Sequence, residues 1–400
     1  MTITVSPPPI TGHPGDPRKR VRRREPDRWV FVAEPHLYAL FAGFAGVFAA
    51  TAGTAAHRAW GTAAAVGYAC AALVAVTSRT AGRACAFAGA ALVPLAVLIA
   101  TGQAQEEVSV VARSGAALLR HGTPYPPVPG TAYTAYDPYL PGMAVFGLTG
   151  LDPRILFTGV FAAAIIAGMV LSRSHGGPRQ VGCMGVLIVT LASPLVALPV
   201  AVGGDDLPVL GCACLGLALA RNRPGAAGLA LGAAGTLKPT AWPVLITVFF
   251  LLRARRKARR YVVAATAVLT AGVGVPAALD PSGFVTNAVL FPLGLTPATS
   301  PAASPLPGHL LTGLGPAGYA VAAALLALAA VAVGVSLVLR PPTDVRGAAR
   351  RAALGLALAI CLLPAARWGY FLYPAVLAAF ATLPERPAAT REGIVPCAAA

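Results

Sequence analysis

The chain has 400 residues, 56% of them hydrophobic and only 11% charged, with a mean hydropathy of +0.71. A soluble domain carries roughly 25% charged residues, so this composition excludes an ordinary soluble globule and indicates a membrane protein. The net charge of +17 lies in short basic clusters between apolar runs, a positive-inside pattern that points to a lipid bilayer as partner and not to nucleic acid.

Apolar runs of about 20 residues can cross a bilayer, and without the alternation of barrel strands they are expected to be helical. The expected fold is all-α: a polytopic membrane protein with about 11–13 membrane helices, short broken ones included. Residues 1–35 form a basic arm, densest from Arg18 to Arg28, expected to be disordered and cytoplasmic. Spans near His36–Ala56, Gly61–Thr77 and Ala84–Thr101 then run out, in and out, with Arg79 and Arg83 at the inner turn. The third delivers Glu106 and Glu107 to an external loop, residues 102–153. Ile155–Leu171 returns to Arg173 and Arg179, and Val181–Val202 leads out to Gly203, Gly204, Asp205 and Asp206. Leu207–Ala220 leads back to Arg221 and Arg223.

The stretch Gly225–Leu252 lies between two basic clusters, the second being Arg253–Arg260, and is shorter than the roughly 40 residues two full spans need. Two short helices meeting at Lys238 and Pro239 fit, because proline cannot continue a helix and biases the preceding residue away from one. Lys238 then stands at a hairpin tip, where a lysine needs an anion or water. Tyr261–Ala278 goes out, and a Pro/Gly-rich external segment runs from Asp280 to Pro316. Ala317–Leu339 returns to Arg340, Arg346, Arg350 and Arg351; Ala352–Ala365 and Phe371–Leu383 then flank Arg367, Trp368, Gly369 and Tyr370. The transmembrane unit is residues 36–384 and residues 385–400 form a tail, which places both termini in the cytoplasm of a multi-pass cell-membrane protein.

Most of the seven cysteines lie in or beside apolar spans, where a free thiol behaves as a small hydrophobe. Cys212 and Cys214 lack the partners of a zinc site, and no second carboxylate cluster beside Asp205 and Asp206 completes a divalent-metal site. No metal or cofactor is expected. Asp205 and Asp206 read as acids of a solvated turn, with binding of the sugar as the alternative.

The chemistry concentrates after residue 105. Val108, Val111, Gly115, Leu118 and Leu119 recur at helical spacing behind Glu106 and Glu107, describing an amphipathic surface helix with an acidic start. Either glutamate can serve as a general base at the membrane surface, or both can simply decorate a helix N-terminus. Tyr125, Tyr133, Tyr136, Asp137 and Tyr139 follow, an aromatic belt or a sugar-stacking surface. Lys238 and Arg367 are candidate cations for a departing phosphate, with Arg113 and His121 as assistants.

These segments resemble the polyprenol-phosphate-sugar-dependent mannosyl- and arabinofuranosyltransferases of the GT-C superfamily. The resemblance rests on three elements in order. The first runs from Glu107 through Ala116–Tyr125 (Ala, Ala, Leu, Leu, Arg, His, Gly, Thr, Pro, Tyr) to Tyr136–Met143; the second is Gly228–Pro243 around Lys238; the third is Arg367–Pro374. It implies a lipid-phosphate-sugar donor, an extracytoplasmic site, inversion at the sugar carbon, and a glycan or glycolipid acceptor. Glu107 matches the family's catalytic aspartate, with Glu106 the alternative; Lys238, Arg367, His121, Tyr125, Tyr136, Asp137 and Tyr370 would bind substrate. The chain departs from the pattern in carrying Glu for Asp, Val111 where a tyrosine is expected, one extra residue in Tyr136–Leu140, and two spans ahead of the usual start. A transporter or lipid-sugar flippase, built around the broken helix at Lys238, is the competing class. A catalytically silent partner of a cell-envelope complex is a third.

Overall fold

The computed structural model describes residues 27–126, 132–172, 178–298 and 300–383. The arm up to residue 26, the tail from residue 384 and five residues of the 102–153 loop lie outside the described residues. Among the described residues the regular elements are all helical, and the pairing of Ala303 with Ala366 is an isolated bridge.

Helices α1 (Asp27–Thr51) and α2 (Ala55–Thr77) form a hairpin, and α3 (Arg79–Ala100) runs back along α2. Small residues bring the backbones together: a Cβ on Gly67 would stand 2.5 Å from the Gly89 carbonyl carbon. Pro94 has no N–H for the Ala90 carbonyl, a π turn forms at Ala88–Leu92, and the Trp60 indole donates to that carbonyl at 2.8 Å. At the opposite end of this hairpin Arg83 donates to the fully buried Glu34.

The amphipathic helix expected from the glutamates onward is α4 (Glu106–His121), with Val108, Val111 and Gly115 buried and Leu119 exposed. After α5 (Pro153–Ser172), the run expected as one span over Val181–Val202 is broken into α6 (Pro178–Leu191) and α7 (Pro194–Val202), bent by 45°. The bend has a physical cause in Pro194, and Tyr68 Oη donates to the Ala192 carbonyl there at 2.7 Å.

Helix α8 (Asp206–Leu219) is buried along most of its length between α5 and α9 (Pro224–Leu237). As the prolines require, α9 ends at Leu237, Lys238 is extended (φ −149°, ψ 147°), and α10 (Pro239–Ala254) begins at once. Next come α11 (Ala258–Leu279), α12 (Pro316–Leu339), α13 (Val345–Leu362) and α14 (Trp368–Phe380). Among the described residues five helices (α2, α3, α5, α11 and α12) are long and apolar enough to cross a membrane, and the bent α6–α7 pair makes a sixth if counted as one span. Leu73, Leu279 and Leu328 stand exposed on them, as surfaces solvated by lipid require. The chain is an all-α polytopic membrane protein.

The start of α4, the end of α7, the start of α8, the α9–α10 break and the start of α14 meet at one end of this bundle.

Candidate active site

Glu106 and Glu107 open α4, where exposed N–H groups favour negative charge. The position of that helix is fixed from both sides. Gln105 N–H donates to the Val202 carbonyl at 2.9 Å, and the buried Arg154 donates to the Gln103 carbonyl at 2.6 Å while its other nitrogens hold Asp152. Gly203 adopts φ +104°, and a Cβ there would stand 2.2 Å from Val108 Cγ2, so glycine is required for α4 to sit on the α7–α8 turn.

That turn carries Asp205 and Asp206, which are not the solvated acids expected from the sequence. Both are buried, and each accepts from Lys238 Nζ at 2.7 Å. Burying an ammonium without a counter-ion is prohibitive in a membrane bundle, and two carboxylates from the next hairpin supply one. Tyr373 Oη also donates to Asp206 Oδ1 at 2.8 Å and accepts from Thr240 Oγ1 at 2.8 Å, tying α14 and α10 to the same acid. Lys238 Nζ lies 5.1 Å from the centre of the Tyr139 ring.

Arg367 precedes α14 in extended conformation, held by pairing of Ser304 N–H with the Ala366 carbonyl at 3.0 Å and of Trp368 N–H with Ser304 Oγ at 3.1 Å. Its Nη1 donates to Glu107 Oε1 in an ion pair. Tyr370, one turn on, lies within electrostatic range of Lys238, Asp206 and Arg367. Glu107, Lys238, Arg367 and Tyr370 thus gather around Asp205, which is close enough to both Glu107 and Lys238 for their charges to act on it.

The remaining sequence candidates divide. Glu106 accepts from Tyr133 Oη at 3.0 Å and belongs to the rim of the cluster. Tyr125 is buried and donates to the Tyr139 carbonyl at 3.0 Å, so it braces the loop. Tyr136 is buried against Phe291, rings stacked 4.6 Å apart, and offers no open face for a sugar there. Asp137 is buried, its Oδ2 lying 2.5 Å from Ser114 Oγ and its Oδ1 accepting from Tyr139 N–H at 3.1 Å. Burial pushes its carboxyl up to about 7, against the opposing pull of its hydrogen bonds. His121 is exposed at the far end of α4, about 21 Å along the helix from Glu107 at 1.5 Å per residue, and is not part of the cluster.

Sequence reasoning read Tyr139 as part of an aromatic belt or sugar-stacking surface and Tyr373 only as part of the third motif, and it missed the burial of Asp205 and Asp206. It also missed His57, in the first turn of α2, which lies within electrostatic range of Glu107 and Arg367. The available signal was charge complementarity at matching depth: an intramembrane lysine calls for acids at the end of a neighbouring span. Among the described residues no group of three or more His, Cys, Asp or Glu side chains is arranged to hold a metal.

Three carboxylates, two cations and three tyrosines gathered at one end of the bundle can deprotonate a hydroxyl and stabilise a departing anion. No curated protein and no solved structure matches the chain. The model of glycosyltransferase family 87 matches residues 138–366, enclosing Asp205, Asp206 and Lys238 and ending one residue short of Arg367. That match covers more than half of the sequence, and the chain belongs to glycosyltransferase family 87, a GT-C-like family of membrane glycosyltransferases.

Proposed function

We propose that this membrane glycosyltransferase moves a sugar, mannose or a pentofuranose, from a polyprenyl-phosphate donor to a glycan or glycolipid acceptor on the extracytoplasmic side of the cell membrane. The observation that carries the reading is the Glu107–Arg367 ion pair set beside the Lys238–Asp205–Asp206 triad. Displacing a lipid phosphate from an anomeric carbon needs a base for the attacking hydroxyl and positive charge for the departing phosphate. Glu107 is the base: it is partly exposed, at a helix start, and paired with Arg367. Glu106, bonded to Tyr133, is its alternative. Arg367 and Lys238 supply the positive field, and attack by the acceptor from the face opposite the phosphate inverts the sugar carbon.

Charge supports this choice of side. Arg255 and Arg346 mark the end of the bundle opposite the cluster, where they hydrogen-bond to Thr343 and Leu383 carbonyls. Basic residues favour the cytoplasmic side, so both termini lie there and the cluster faces out. The donor's prenyl chain then lies along the apolar flanks of the bundle with its phosphate at the level of Arg367.

The test is transfer by the purified protein in liposomes holding a labelled polyprenyl-phosphate mannose or pentofuranose. Glu107→Gln is expected to abolish transfer, by a factor of at least about 100, while the protein still inserts. Undiminished transfer by Glu107→Gln together with loss in Glu106→Gln would move the base to Glu106; undiminished transfer in both would refute the reading.

A further inference from the structure

Glu107, Asp205 and Asp206 present three carboxylates to two cations, Lys238 and Arg367. A phosphodiester brings one more negative charge into this cluster and competes with the three carboxylates for the two cations. The two cations are not equally available. Lys238 directs two of its three N–H donors to Asp205 and Asp206, lies over the Tyr139 ring, and has a side chain only 12% exposed. Arg367 has one carboxylate partner, Glu107, and its side chain is 31% exposed. The weaker, wetter pair is the one that opens.

We propose that Arg367 exchanges partners during the reaction. At rest it holds Glu107; a lipid phosphate arriving at the cluster takes the guanidinium, and Glu107 is released beside it. The inference rests on the assignment of Glu107 as the base and adds to it an order of events. Arg367 Nη1 engages Glu107 Oε1 and holds the carboxylate against the cation, so that oxygen is not free for the acceptor hydroxyl while the pair lasts. Glu107 is therefore competent only when a phosphate occupies Arg367, and an acceptor bound alone meets a masked base. Donor binding precedes deprotonation of the acceptor, and one arginine couples the two.

The exchange has a signature that a purely catalytic Glu107 lacks: removing the carboxylate removes a competitor for the phosphate. The experiment measures binding of undecaprenyl phosphate to the full-length protein in nanodiscs, with undecaprenol as the uncharged control. Glu107→Gln is expected to bind undecaprenyl phosphate about tenfold more tightly than the native protein, the size of one competing charge-assisted hydrogen bond, with undecaprenol binding unchanged. Glu106→Gln removes the same charge one residue away, from a carboxylate bonded to Tyr133, and is expected to change affinity less than about twofold. Arg367→Ala is expected to weaken binding at least about tenfold.

Unchanged or weaker binding by Glu107→Gln overturns the proposal, as does equal tightening in Glu106→Gln, which would report only the local field. The two assignments separate cleanly. Loss of transfer without tighter binding leaves Glu107 as base and removes the exchange. Tighter binding with transfer intact keeps the exchange and removes the base.

Discussion

Glu107 and Arg367 are separated by 260 positions in the chain, yet their side chains meet in an ion pair at one end of the bundle. The contact joins the first turn of the amphipathic helix α4 to the entry of the last helix, α14, and so closes the site around Asp205 and Lys238. Neither residue falls within 138–366, the part of the chain that matches the family model, so the family's shared core supplies the triad and flanking segments complete the site.

Arg367 is expected to tolerate lysine poorly. The guanidinium offers five donors in a planar fork and can turn from a carboxylate to a phosphate without losing contact, whereas an ammonium is a compact point charge. Arg367→Lys should lower single-turnover transfer about tenfold, and Arg367→Met about 100- to 1000-fold. Equal rates for Arg367→Met and the native protein would remove Arg367 from the chemistry.

Lys238→Met tests the triad as a structural element. The substitution leaves Asp205 and Asp206 buried without their cation, and breaking a buried pair from one side costs about 3–5 kcal/mol. A clear fall in the thermal midpoint in detergent is expected. Combining Lys238→Met with Asp205→Asn and Asp206→Asn should recover part of that stability, because no charge is then stranded, but should not recover transfer. A single variant as stable as the native protein would mean that water reaches the triad.

How far the sequence foretold this arrangement varies residue by residue. The break at Lys238 was legible because Pro239 removes a backbone donor and constrains its neighbour, a local effect needing no partner. Helix α4 was legible from its spacing of apolar residues. Asp205 and Asp206 were misread, since two acids after two glycines describe a solvated turn as well as a buried one, and their partner lies 33 and 32 residues away. The single span expected over Val181–Val202 is bent because Pro194 interrupts it, a signal present in the sequence but masked by the length of the apolar run. His121 was drawn in by its neighbourhood to Glu107, and helix length separates them.

Asp137 predicts a pH dependence of the loop that follows α4. Ser114 has one hydroxyl hydrogen, yet both the Val110 carbonyl at 2.9 Å and Asp137 Oδ2 at 2.5 Å lie within bonding distance of its Oγ. A protonated Asp137 resolves the conflict by donating to Oγ while Ser114 donates to Val110, in keeping with a carboxyl raised by burial to about 7. The folded loop therefore favours the neutral acid. Its docking is strongest below the ordinary carboxyl value of 3.8, weakens as pH rises towards about 7, and is flat above that. Proteolysis within residues 132–137 should be faster at pH 8 than at pH 5. Asp137→Asn, whose amide can donate to Ser114 at any pH, should abolish the difference; an unchanged pH dependence in that variant would place its origin elsewhere.

Gly203→Ala should damage activity through geometry alone. The new Cβ meets Val108 Cγ2 at 2.2 Å and Arg154 Cγ at 2.9 Å, and the backbone at φ +104° already disfavours any side chain. Val108 directly follows the Glu106–Glu107 pair, so relief of the clash pushes the start of α4 off the α7–α8 turn and draws Glu107 from Arg367. Transfer should fall by about 100-fold, because displacement of about 1 Å at a reacting group costs that much. Adding Val108→Ala removes the clashing methyl while leaving the positive φ, and should restore part of the rate but not all of the stability. The two effects separate because the methyl contact acts on the position of Glu107, whereas the backbone strain acts on the turn. Full retention of transfer in Gly203→Ala would show that α4 does not depend on this contact for its placement.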